Sequence, residues 1–67
     1  MMKFEEALVR LRNGVRVRRA MWRTDTYVQI RHGHIHLVAG QGLEKCWDCQ
    51  EVDLLAEDWE ETNVLEQ

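Results

Sequence analysis

The sequence predicts an α+β fold, in which one amphipathic helix packs on a small antiparallel sheet. Three observations carry this expectation: an apolar stripe of helical period at the start of the chain, a change to period two after Asn13-Gly14, and a self-consistent hairpin between Tyr27 and Val38. Phe4, Ala7, Leu8 and Leu11 fall at i, i+3, i+4 and i+7, one face of a helix of about ten residues. Glu5 and Glu6 in its first turn and Arg10 and Arg12 in its last complement the helix dipole. Asn13-Gly14 stops it, because glycine readily takes the left-handed conformation that closes helices.

Val15 and Val17 then alternate with Arg16 and Arg18, a short strand with its valines inward and its arginines outward. Trp22 follows, and Thr24-Asp25-Thr26 reads as a turn. With His32-Gly33 as a two-residue loop, Arg31 faces His34, Ile30 faces Ile35 and Val28 faces Leu37, so the aliphatic pairs share one face. Ala39-Gly40-Gln41-Gly42 is a loop. Between Cys46 and Trp59 the pattern is less clean: Asp53-Leu54-Leu55-Ala56 suggests one helical turn with Asp53 near its start. Trp59-Glu60-Glu61-Thr62 reads as a closing edge strand, and residues after Asn63 are expected to fray.

The 67 residues form a single domain, 1–67, that buries only about 60% of its unfolded surface, so marginal stability and some added support are expected. No apolar run reaches the roughly 20 residues of a membrane span, and Met-Met-Lys-Phe-Glu-Glu lacks a signal peptide's apolar stretch. The expected location is the cytosol, where Cys46 and Cys49 stay reduced and self-association or a metal becomes the more plausible support. Charge divides along the chain. Residues 1–38 hold eight basic against three acidic residues, a net of +5, whereas residues 39–67 hold one against nine, a net of −8. Such a dipole folds back on itself or pairs with a second copy. The overall balance of −3 argues against a nucleic-acid polymer as partner.

The chain has no serine, which removes serine nucleophiles, and its carboxylates crowd into the acidic half as a solvated face would. His32, His34 and His36 suggest a metal triad, but the hairpin register places His32 in the turn and leaves only His34 and His36 on one face. Adding Cys46-Trp47-Asp48-Cys49 makes a two-His, two-Cys zinc site conceivable, yet the spacing matches no zinc pattern. Polar surface histidines and small, at least half-buried thiols are the expectation, with no resident metal and no cofactor. Three tryptophans in 67 residues are many. An indole is either a core residue or a stacking platform for a base, contributing about 1–3 kcal/mol per base. Trp22 lies beside Arg16, Arg18 and Arg19, which could hold phosphates through charge-assisted bonds. Holding a small ligand present at nanomolar levels requires roughly −12 kcal/mol, which asks for a deep preformed pocket. One small sheet offers little concavity, so the pocket is expected between subunits of a homo-oligomer.

Phe4-Glu5-Glu6-Ala7-Leu8, Leu11, Gly14, Val17, Arg18 and Trp22, followed by Trp47 and Asp53-Leu54-Leu55-Ala56-Glu57-Asp58-Trp59-Glu60, resemble the phage Thoeris anti-defence family in its second, tetramer-forming type. The interval from Trp47 to Asp53 is that family's interval, and the two stretches cover about half the chain. The resemblance implies a homotetramer without catalytic activity that sequesters cyclic ADP-ribose isomers such as glycocyclic ADP-ribose, or related cyclic nucleotides. Trp22, Trp47 and Asp53 match motif positions. The expected binding set is therefore Trp22 and Trp47 on the base, Arg18 or Arg19 on phosphate, and Asp53 on a ribose hydroxyl or capping its own helical turn. Two other readings stay open, an adaptor that meets a basic host protein through its acidic half and a small zinc-binding module.

Overall fold

The computed structural model describes residues 1–62, so the fraying expected after Asn63 lies outside the described residues. Helix α1, Phe4–Arg12, is followed by β1, Val17–Arg19, β2, Tyr27–Arg31, and β3, His34–Ala39. A 3-10 turn at Gly40–Gly42 leads into β4, Leu43–Cys46, then α2, Glu51–Leu54, and β5, Trp59–Glu61. Every strand pairing is antiparallel, and the sheet order is β4-β3-β2-β1-β5. The predicted α+β class is the observed one.

Helix α1 ends as its sequence requires. Gly14 takes φ 84°, the Val15 N–H donates to the Arg10 carbonyl at 2.9 Å and the Gly14 N–H to that of Leu11 at 3.0 Å, a Schellman closure. The hairpin has the predicted register, with Val28, Ile30 and Arg31 opposite Leu37, Ile35 and His34. His32 and Gly33, at φ 53° and 80°, form the turn that matches strand twist. Strand β1 is shorter than predicted and leaves Val15 outside it, while β5 closes one edge as expected, its outer side bridged by Met2.

Two elements differ from the sequence reading. Strand β4 was not anticipated, because Leu43, Glu44, Lys45 and Cys46 are all exposed and no apolar alternation marks them. Helix α2 begins at Glu51 with Gln50 at its cap, which puts Asp53 inside the helical turn instead of at its start.

The buried core is Ala7, Leu11, Val17, Val28 and Trp59, with α1 packed over β1, β2 and β5. Since β4 and β5 are opposite edges of the sheet, the segment between them must cross it. Trp47 and Ala56 from that segment pack against the core, so the crossing runs over the helix-bearing face. The divided charge is consumed internally: Arg10–Glu61, Arg18–Glu60, Arg19–Asp53, Arg19–Asp58 and Arg31–Glu44 each join the basic half to the acidic half.

Candidate functional site

Four aromatic rings meet where the crossing segment returns to β5. Trp59 is fully buried at the first position of β5, with Phe4 of α1 at 5.3 Å, Trp22 at 5.3 Å and Trp47 at 5.7 Å between ring centroids. Trp22 and Trp47 are 6.4 Å apart at 77°, an edge-to-face pair, and both are partly exposed. Edge-to-face packing adds about 0.5–1.5 kcal/mol per pair beyond area burial, so the two outer indoles are held in fixed orientations on an inner one. Trp47 is further anchored by its N–H, which donates to the Ile35 carbonyl at 2.9 Å and continues the β3–β4 ladder by one residue.

A polar network locks the buried indole. Arg19 and Trp59 are cross-strand partners. The Arg19 guanidinium donates from Nε to Asp58 Oδ1 at 2.8 Å and from Nη1 to Asp53 Oδ1 at 2.7 Å. Asp53 in turn accepts the Trp59 indole N–H through its main-chain carbonyl at 2.8 Å. One arginine therefore ties the crossing segment to β1 at two carboxylates, and the tryptophan beside it ties the same segment to β5. Hydrogen bonds to Asp58 and then Asp53 raise Arg19 above its ordinary value, outweighing the desolvation that lowers it.

Asp58 responds in the opposite sense: the Arg19 guanidinium holds it below the ordinary aspartate value of 3.8. The folded protein thus binds that proton less tightly than the unfolded chain. Ionised Asp58 contributes stability that is complete above the unfolded value and is lost as pH falls through the lowered folded one. The melting temperature should be level through the neutral range and decline below about pH 5. Asp58→Asn should lower the neutral plateau and make the acid decline shallower, which a pH series of thermal melts would read.

The five sequence-predicted residues are placed unequally. Trp22 and Trp47 come together, Arg18 and Arg19 bond the Trp22 main chain, and Asp53 bonds Arg19 and Trp59. The three charged residues, however, already hold partners within the fold. Arg18 points away from the core, as expected, but is only 9% exposed, because β1 is an interior strand flanked by β2 and β5. Its Nη1 donates to Glu60 Oε1 at 2.6 Å and its Nη2 to the Trp22 carbonyl. Asp53, also 9% exposed, spends its carboxylate on Arg19 and does not cap α2. Sequence reasoning missed Arg23, next to Trp22, whose side chain is 88% exposed and whose Nε lies 3.8 Å from Asp25 Oδ1. Adjacency to Trp22 was the available signal. Arg23 and Asp25 border an open cleft of about 260 Å³ with Thr26, Ala39, Gly40 and Leu43, and a side chain at Gly40 would collide with the Asp25 carboxylate.

The histidines and cysteines assemble no centre. His36 lies opposite Cys46, and its Nδ1 is 3.2 Å from Glu44, but that carboxylate also receives Arg31 at 2.6 Å. Among the described residues, no three His, Cys, Asp or Glu side chains converge where a metal ion could sit. The thiols, expected to be at least half-buried, are exposed because Cys46 ends an edge strand and Cys49 lies in the surface segment after it. Partial desolvation and the Asp48 charge push the Cys49 thiol up, which keeps it a neutral donor, 3.9 Å from the Trp47 carbonyl. No helix among the described residues is long and apolar enough to cross a membrane.

A family model described as the Thoeris anti-defense 2-like domain, Tad2-like, matches residues 2–62. No curated protein matches the chain.

Proposed function

The chain belongs to the Thoeris anti-defense 2-like family, and on that premise we propose that it counteracts bacterial immunity by binding a cyclic ADP-ribose-type signal, such as glycocyclic ADP-ribose, and holding it unconverted inside the infected cell. The observation that carries this reading is the partly exposed Trp22–Trp47 pair, mounted rigidly on buried Trp59 and followed directly by the exposed Arg23. An adenine stacks on the indoles, and the pyrophosphate takes the exposed Arg23 guanidinium. Arg18, Arg19 and Asp53 serve the same site as its frame, since their charges are already balanced by internal partners.

Sequestration requires little of the protein beyond affinity. Asp53 and Asp58 are ion-paired with Arg19, and partial desolvation pushes the Cys49 thiol up, which favours its protonated form. A second copy deepens the site. Met21, Val52 and Leu55 are 71%, 70% and 72% exposed, apolar surface that a tetramer covers while building walls around the indole floor. The adaptor alternative loses much of its surface, because Glu44, Asp53, Asp58, Glu60 and Glu61 are all engaged by the chain's own arginines.

A melting-shift panel tests the proposal. Ligand at a hundredfold excess over its dissociation constant adds about 2.7 kcal/mol, roughly ten degrees or more for a domain this small. Glycocyclic ADP-ribose is expected to give such a shift, with Trp22→Ala and Trp47→Ala each weakening binding by about tenfold or more. No shift with it or with any of a set of cyclic dinucleotides would remove the proposal.

A further inference from the structure

The end of β1 holds a feature that ligand contact does not account for. Trp22 is the third residue beyond that strand, in a stretch with no regular structure, yet both polar groups of its main chain are taken by β1. Its N–H donates to the Arg19 carbonyl at 3.0 Å, and its carbonyl accepts from Arg18 Nη2. Arg18 is itself fixed from the other side by Glu60, its cross-strand partner on β5, at 2.6 Å. The Trp22 ring, meanwhile, lies edge-on to Trp59 at the first position of β5. The two faces of the sheet are thereby joined at this end. Arg18 and Glu60 lie on the side away from the core, because their sequence neighbours Val17, Arg19 and Trp59 point to the other side.

We propose that Arg18, clamped by Glu60, is a positioning residue that sets the orientation of the Trp22 indole by holding its main-chain carbonyl, and that it does not touch the ligand. This rests on the reading of Trp22 as part of the binding site. The guanidinium suits the task because its planar fork reaches two acceptors in different directions at once, one from each nitrogen; an ammonium acts as a single point and cannot span both. It is unsuited to direct contact with a phosphate, being 9% exposed with Nη1 and Nη2 engaged and its Nε buried without a partner. Glu60 keeps the side chain from swinging toward solvent and strengthens the bond through charge. The consequence for binding is entropic. An indole already aimed at its ligand loses less freedom on association than one on a turn held by a single main-chain bond.

The test compares Arg18→Lys with the unaltered protein, alone and in the Trp22→Ala background, and follows the Trp22 indole N–H resonance without ligand and affinity for glycocyclic ADP-ribose with it. Arg18→Lys is expected to move and broaden the Trp22 resonance, leave that of Trp59 in place, and weaken binding by roughly tenfold in the parent but by less than about twofold when Trp22 is alanine. Glu60→Gln keeps the shape and removes the charge, so it should move the same resonance in the same direction by less. It also provides the readout if Arg18→Lys does not fold. Equal weakening in both backgrounds would make Arg18 a direct ligand contact and overturn the proposal, as would an unmoved Trp22 resonance in Arg18→Lys. If the unaltered protein binds nothing in the panel, the binding-site reading fails on its own, and the resonance still decides whether Arg18 positions Trp22.

Discussion

Arg19→Ala is expected to be the most damaging single substitution in the chain. It leaves Asp53, with a side chain 13% exposed, and Asp58, at 28%, facing each other's charge without a cation between them. Removing one partner from a buried ion pair costs about 3–5 kcal/mol, most of it the penalty of the orphaned charge. Total stability runs at roughly 0.05–0.15 kcal/mol per residue, so a chain of 67 residues has about 3–10 kcal/mol to lose. Urea denaturation of Arg19→Ala should show a protein at or below half-folded without denaturant. Adding Asp53→Asn and Asp58→Asn should recover a good part of the loss, because the charges that made it costly are gone. A triple variant no better than the single one would show that the cost lies in packing around Arg19 and not in the stranded carboxylates.

Trp59→Ala should rank beside it. Trp59 is fully buried, with three other aromatic rings and an indole N–H bond resting on it. Emptying such a position costs about 3–5 kcal/mol, set by how far the surroundings collapse. Trp59→Phe keeps a ring for the edge-on neighbours but leaves the Asp53 carbonyl without its donor, about 1–3 kcal/mol for an unsatisfied buried acceptor. Thermal melts should therefore order the unaltered protein, Trp59→Phe and Trp59→Ala from most to least stable. Both variants should also disturb Trp22 and Trp47 fluorescence, since those indoles are oriented by the ring beneath them. Equal losses in the two variants would mean that the hydrogen bond, and not ring packing, dominates at this position.

The order of difficulty in reading this chain follows the range of its interactions. The hairpin was legible to the residue because a two-residue turn at His32-Gly33 fixes every pair beyond it. The helix end was legible because Gly14 is a local conformational demand. Strand β4 was hidden because its four side chains are all exposed, so its identity comes from main-chain pairing with β3, which leaves no apolar trace in the sequence. Trp22 and Trp47 were singled out by residue type, and the fold does bring them together. What was not legible was the partnership of the charges. Arg19 finds Asp53 and Asp58 across 34 and 39 residues of chain, and Arg18 finds Glu60 across 42. Until β5 lies beside β1, nothing tells those arginines from free phosphate donors. The net charges of the two halves hinted at mutual pairing, but a sum over residues cannot name partners.

The same pairings shape the functional proposal. With Arg18, Arg19 and Asp53 used to build the frame, the proposal gives ligand contact to the two outer indoles and Arg23. On the proposed reading, that set would meet a base and a phosphate. The measurement that tests this most directly is a mass balance: incubate the protein with a slight deficit of glycocyclic ADP-ribose, remove what is unbound, denature, and identify the released molecule. Sequestration predicts near-complete retention followed by release of the chemically unchanged ligand. Passage of the ligand straight through, or its recovery as a hydrolysed product, would contradict it.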